Sequence, residues 1–127
     1  MSRLAKKVVA DGFKALKIEY GFGVYAKNPV KYPYFVGDYT ESESFSEDGL
    51  VESTWTLTGF SRDSWDTLEI AREKIERYFE RINGKVVGAD DGSYIVAAYA
   101  GSLIVPTGDP ELKKIQINLN VKEWRVK

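Results

Sequence analysis

The feature that most constrains this fold is an alternating segment, residues 50–60, which leads almost directly into an amphipathic helix. Its odd-numbered residues, including Trp55 and Leu57, share one side of an extended chain, and its even-numbered residues, mostly threonine, share the other. β-Branched and aromatic side chains pack well on a pleated surface. The segment therefore predicts a strand with one face in the core.

The helix that follows is predicted over residues 64–82. Ser61, Asp63 and Ser64 are each possible N-caps, and Asn83-Gly84 is a typical C-terminal stop. A continuous apolar stripe marks the face that packs on the core; it consists of Leu68, Ala71, Ile75, Tyr78, Phe79 and Ile82. A shorter helix is predicted over residues 3–18, where apolar residues recur at spacings of three and four.

The chain before residue 50 predicts a partner strand. It begins at residues 32–36 and continues through a polar alternation as far as Asp48-Gly49, a hairpin turn signal. Residues 32–60 thus predict a long β-hairpin with a packed base and a polar tip at about 38–49 that projects beyond the core. The outer half of the return strand, near residues 51–53, is also predicted to be too polar for the core.

The remaining strands are short. Residues 21–23 predict a turn, and strands are predicted at 24–26, 93–99, 102–105 and 114–121, with a short apolar segment at 85–88. The predicted fold class is α+β: a single domain, residues 1–127, with a mostly antiparallel β-sheet, a long projecting β-hairpin and two helices packed on the sheet.

Composition narrows the classes of function. A chain of 127 residues with 43% apolar residues is long and apolar enough for one packed core. It has neither cysteine nor histidine, which excludes disulfides, thiol catalysis and Cys-ligated zinc and removes the usual general base. Carboxylates, lysine or tyrosine could still serve an enzyme, but no motif identifies such a site, and we predict no catalytic residue, no cofactor and no metal site.

Other classes of partner are also disfavoured. A net charge of −1 argues against a whole surface built for duplex DNA. The first residues lack the apolar run of a signal peptide, and no stretch is long and apolar enough to span a membrane. We expect a soluble protein made in the cytoplasm, with no membrane partner.

The polar tip is the main candidate surface. Its carboxylates do not follow the spacing of an EF-hand, and an exposed tip rarely supplies the pocket that catalytic carboxylates need. Two interpretations remain, a solvated loop or a hairpin that docks on another protein. Trp65, beside the helix start and off the apolar stripe, joins the interface hypothesis, which comprises Asp38, Tyr39, Glu41, Glu43, Phe45, Glu47, Asp48 and Trp65.

Two further groups have competing interpretations. The lysines of the first helix are predicted to lie on a solvated face, and the alternative is a patch that faces phosphate or DNA. The tyrosines predict strand packing rather than base stacking, because basic residues are not interleaved with them.

These elements, taken in order, resemble the small tail terminator (tail-completion) proteins of tailed bacteriophages and prophages. The resemblance rests on the N-terminal helix, the Tyr32-Pro33-Tyr34-Phe35-Val36 strand, the acidic hairpin, the strand into Gly59-Phe60-Ser61, the helix 64–82 and the closing strand 115–124. Head–tail connector proteins share this general plan.

The resemblance implies a structural protein of the virion tail or neck and no enzyme. Members of that family form hexameric rings that cap the tail tube, so it implies three partners: further copies of the chain, the tail tube protein and a head-completion or connector protein. On this analogy the hairpin contacts a neighbour or the tube. The rival hypotheses are another head–tail joining protein, a small host enzyme or ligand-binding domain, and a nucleic-acid adaptor.

Overall fold

A computed structural model describes residues 3–42, 50–80, 84–89 and 92–124 of the chain. The described residues form two helices and six strands. The elements follow one another as α1 (Arg3–Leu16), β1 (Glu19–Phe22), β2 (Tyr34–Ser42), β3 (Leu50–Ser61), α2 (Trp65–Tyr78), β4 (Lys85–Gly88), β5 (Tyr94–Ile104) and β6 (Lys113–Trp124). This confirms the predicted α+β class.

The six strands form one sheet in the order β1-β2-β3-β6-β5-β4. All neighbours are antiparallel except β1 and β2, which are parallel. The central pair, β3 and β6, stays in register from Leu50 opposite Trp124 to Ser61 opposite Lys113. The end of the sheet at Tyr34 and Ser61 is called the lysine end below, and the end at Ser42 and Leu50 the acidic end, for the charges described later.

The alternation predicted for β3 separates the two faces of the sheet. The helix face carries Trp55 and Leu57, which are fully buried, beside Ile117 and Leu119 on β6. The other face, the open face, carries Thr56 and the other threonines of β3 beside asparagine and glutamine on β6. One apolar and one polar face is the usual pattern of an antiparallel sheet packed on one side.

Both helices pack on the core and touch each other. The apolar stripe of α2 buries Leu68, Ala71 and Ile75, and Phe79 at its C-cap is also buried. Gly12 of α1 lies where the helices approach: a Cβ there would be 2.8 Å from the Phe79 ring. A glycine that weakens an isolated helix thus permits close helix packing here. In the described part of the chain, no helix combines the length and the apolar character needed to cross a membrane.

Several predicted boundaries are wrong. Residues 24–26 are not a strand; the strand is β1, which includes Gly21, and it pairs in parallel with β2. Residues 94–104 form one strand, β5, with a register shift between Tyr99 and Gly101, where two strands were predicted. The helix predicted over 64–82 ends at Tyr78, and its N-cap is Ser64, without a side-chain cap hydrogen bond.

The projecting hairpin is not confirmed. β2 and β3 do pair as predicted, from Tyr34 opposite Phe60 to Ser42 opposite Glu52. However, β6 accompanies β3 as far as Leu50, so the described part of the hairpin lies within the sheet. Ser53, predicted to belong to the polar outer half, is buried. Residues 43–49, which include the predicted turn Asp48-Gly49, lie outside the described residues.

Gly59 provides a test of packing on the helix face. A Cβ at Gly59 would overlap the buried ring of Phe35 on the neighbouring strand, whereas a Cβ at Gly88 would meet no atom within 4 Å. We expect Gly59→Ala to lower the free energy of unfolding by about 1–3 kcal/mol, because Phe35 must move in a close-packed core. Gly88→Ala, the matched control, should change it by less than about 0.5 kcal/mol. Urea denaturation measures both, and equal effects would contradict the packing argument.

Candidate interaction surfaces

The structure divides the predicted interface residues between the two ends of the sheet. Asp38, Tyr39 and Glu41 lie on β2, toward the acidic end, while Trp65 opens α2 just beyond β3 at the lysine end. Trp65 and the acidic residues are therefore not brought together. The other four predicted residues, Glu43, Phe45, Glu47 and Asp48, lie outside the described residues.

The three described residues of β2 have different surroundings. Asp38 and Glu41 are exposed, but alternation places them on opposite faces. Tyr39 is half-buried, and its ring centroid lies 5.2 Å from that of Trp55. Tyr39 therefore contributes to packing as well as to the surface.

Asp38 also affects a buried neighbour. The Tyr20 hydroxyl is buried on the helix face and has no hydrogen-bond partner among the described residues. Burial raises the pKa of the Tyr20 phenol well above its ordinary value, and the negative charge of Asp38 raises it further. Tyr20 therefore stays neutral over the usual working range of pH.

Among the described residues, β1 covers only the first part of the outer edge of β2. β1 ends at Phe22, opposite Gly37. Beyond that point, no strand among the described residues pairs with the outer edge of residues 38–42. An uncovered strand edge presents backbone N–H and C=O groups that another chain can bind by strand addition.

Trp65 lies in a shallow apolar groove at the lysine end. Its side chain is 40% exposed, beside Ile104, which is 60% exposed, and residues 105–113. Thr107 holds this loop by donating a hydrogen bond to the Leu112 carbonyl at 2.8 Å. The groove gives Trp65 the exposed setting that the interface hypothesis requires.

A second cleft at the lysine end was not predicted. It has a volume of about 720 Å³ and lies between the end of α1, the start of β1, residues 27–33 and α2. Its lining includes Ile18, Pro33 and Ile70. We call it the lysine cleft, because its charged lining residues are five exposed lysines and one acid: Lys14, Lys17, Lys27, Lys31, Lys74 and Glu19.

An aromatic cluster holds the loop that supplies two of these lysines. Tyr25 stacks on Tyr34 with ring centroids 4.5 Å apart, and Tyr34 stacks on Phe60 at 5.1 Å. Arg62 donates a hydrogen bond to the Tyr32 hydroxyl at 3.3 Å. These contacts attach residues 25–34 to the sheet, which positions Lys27 and Lys31. The rings serve strand packing, as predicted for the tyrosines.

Most of the positive charge in the cleft is not neutralised. Lys27 forms a salt bridge with Glu19 at 2.8 Å. Lys14, Lys17, Lys31 and Lys74 form no salt bridge within the described ranges. Lysines without acidic partners attract anions, so this cleft has the charge and the donors that phosphate or carboxylate groups require.

Sequence reasoning missed this cleft because its lysines come from three separate parts of the chain. Lys14 and Lys17 belong to the first helix, whose lysines were assigned to a solvated face, and no role was predicted for Lys27, Lys31 or Lys74. No sequence spacing relates these segments to one another. They come together only because α1 packs beside α2 and β1. The described residues contain no group of three or more potential metal-ligating side chains.

The sequence matches none of the protein-family models, and no curated protein is significantly similar to it.

The salt bridge between Lys27 and Glu19 predicts that the Glu19 carboxyl titrates at a lower pH than an ordinary glutamate. The hydrogen bond from Lys27 lowers the pKa of the Glu19 carboxyl, with a smaller contribution from the charge of Lys31. We expect Lys27→Gln to raise the pKa of Glu19 toward its ordinary value and Lys31→Gln to raise it less. NMR titration of the glutamate carboxyl carbons measures both shifts.

The sign of the pH effect follows from this pKa. Because folding lowers the pKa of Glu19, the contribution of the pair to stability is present above the unfolded-state value and is lost as pH falls through the folded one. Lys7→Gln, which breaks the distant Lys7–Asp11 pair, is the control and should leave Glu19 unchanged. A Glu19 titration that does not respond to Lys27→Gln contradicts the assignment.

Proposed function

We propose that this chain is a virion assembly protein of a phage or prophage, a tail terminator that forms a ring, caps the tail tube and provides the surface that joins the head. It acts through contacts with other proteins and not as an enzyme. Its partners are further copies of itself, the tail tube protein and a head-completion or connector protein, and its location is the tail or neck of the virion.

One observation carries the proposal: the candidate contact surfaces lie at opposite ends of one sheet. The outer edge of residues 38–42 leads toward the acidic end, and the Trp65 groove and the lysine cleft lie at the lysine end. Rings require heterologous contacts, in which one patch of a subunit meets a different patch of the next. A chain with distinct surfaces at its two ends meets that requirement.

The order of elements supports the same proposal. A helix, a paired acidic strand, a central strand, an amphipathic helix and a long closing strand follow one another as in the resemblance described above. A head–tail connector is the alternative, because it shares this plan. Binding assays against purified tail tube and connector proteins separate the two: a terminator binds the end of the tube, and a connector does not.

Oligomeric state is the first test. We expect native mass spectrometry and light scattering to detect rings, hexamers on the family analogy, whose population rises with protein concentration. Measurements up to a protein concentration of about 1 mM detect contacts between subunits with a Kd as weak as about 1 mM. A chain that is strictly monomeric over this range, both alone and with the tube protein, contradicts the proposal.

Trp65 tests the lysine end. Aromatic side chains in partly exposed grooves are frequent anchors of protein interfaces. We expect Trp65→Ala to weaken assembly about tenfold or more, measured as the concentration at which half of the chains are in rings. Val86→Ala removes another exposed apolar side chain, 60% exposed on the edge strand β4, and should not weaken assembly. An equal loss of assembly in the two variants would contradict the placement of Trp65 in the interface.

A further inference from the structure

Charge is strongly segregated along this chain, although the net charge is only −1. From Tyr32 to Ser61 there is no lysine or arginine, and the lysine cleft holds five lysines against one glutamate. The acids of this basic-free stretch are Asp38, Glu41, Glu43, Glu47, Asp48 and Glu52. The chain therefore carries one acidic region and one basic region, which are opposite in charge.

Within one molecule the two regions lie toward opposite ends of β2. The cleft includes Pro33, beside the first residue of β2, and the acidic segment follows Ser42, its last residue. Nine residues of strand separate these points by roughly 26 Å.

The chemistry of the segment fits the cleft in more than charge. Within residues 41–48, carboxylates and serines flank a single aromatic residue, Phe45. The cleft combines lysines with apolar lining from Ile18, Pro33 and Ile70, the last of which is 54% exposed. Carboxylates can pair with the lysines while one aromatic ring covers the apolar lining. Free phosphate would satisfy the charge but leave that apolar surface exposed.

We propose that the lysine cleft binds the acidic segment, residues 41–48, of a second copy of this chain. The inference rests on the proposed ring assembly and names the contact that closes it. Each copy inserts its segment into one neighbour and receives the segment of the other neighbour. Such a head-to-tail contact generates a ring when the rotation between subunits closes, and a filament when it does not.

A charge-swap experiment tests the contact. The tip variant carries Glu43→Lys, Glu47→Lys and Asp48→Lys, and the cleft variant carries Lys14→Glu, Lys31→Glu and Lys74→Glu. In each variant alone, segment and cleft have the same sign of charge, so assembly should fall about tenfold or more. In an equimolar mixture, each segment meets a cleft of opposite sign, and alternating assemblies should form again. Native mass spectrometry identifies them by mass.

The control is a variant with the same change in charge elsewhere. Arg3→Glu, Arg77→Glu and Lys122→Glu together alter three exposed basic residues outside the cleft, and this variant should assemble as the wild type does. Circular dichroism establishes that each variant is folded. Raised ionic strength should weaken wild-type assembly, because exposed charges are screened by salt.

A peptide provides a measurement that does not depend on the folding of the variants. A synthetic peptide of residues 38–50 should bind the full-length wild-type chain and inhibit its assembly. Replacing Phe45 with alanine in the peptide should weaken binding about tenfold or more. Calorimetry measures both affinities, and equal affinity of the two peptides contradicts the role of Phe45 and overturns the proposed fit.

The outcomes separate this inference from the function on which it rests. A wild-type chain that assembles, with both reversed variants assembling equally well, overturns the docking and leaves ring formation in place. A wild-type chain that never assembles overturns the proposed function, and the inference with it. A cleft that binds single-stranded DNA, while both reversed variants assemble as the wild type does, assigns the lysines to nucleic acid and also overturns the docking.

Discussion

Pairing of β3 with β6 is the interaction on which the rest of this structure depends. The two strands run side by side from Leu50–Trp124 to Ser61–Lys113, and every other element is added to one edge or one face of this pair. Alternation along both strands gathers the apolar side chains on a single face. The helices then cover that face, burying Phe13, Leu68 and Ile75 against it.

Local patterns predicted the elements that are amphipathic by themselves. The alternation around Trp55 and Leu57 identified β3 and its buried face, and the spacing of Leu68, Ala71 and Ile75 identified α2. Elements that depend on tertiary partners were misplaced. β1 contains Gly21 and pairs in parallel with a strand eleven residues further along the chain, and no local signal encodes that pairing.

The candidate surfaces divide in the same way. The acidic segment is visible in the sequence because its acids lie close together with no basic residue among them. Trp65 is visible because it lies off the apolar stripe of α2. The lysine cleft was missed, because Lys14, Lys31 and Lys74 come together only when the chain folds. The assignment of Ser53 to an exposed outer half of the hairpin was wrong for a related reason: a polar side chain is buried there because β6 extends beside β3.

The double-sided pairing of β3 also bears on how such sequences can diverge. A deletion of one residue within β3 would move every core side chain to the open face, so the length of this strand is fixed by its two neighbours. Residues 43–49 lie between the last registered pair of β2 and the first of β3, and a change in their number leaves both registers intact. Descendants of this chain are therefore free to lengthen, shorten or recharge this connection, and so to exchange one binding partner for another, while the core stays unaltered.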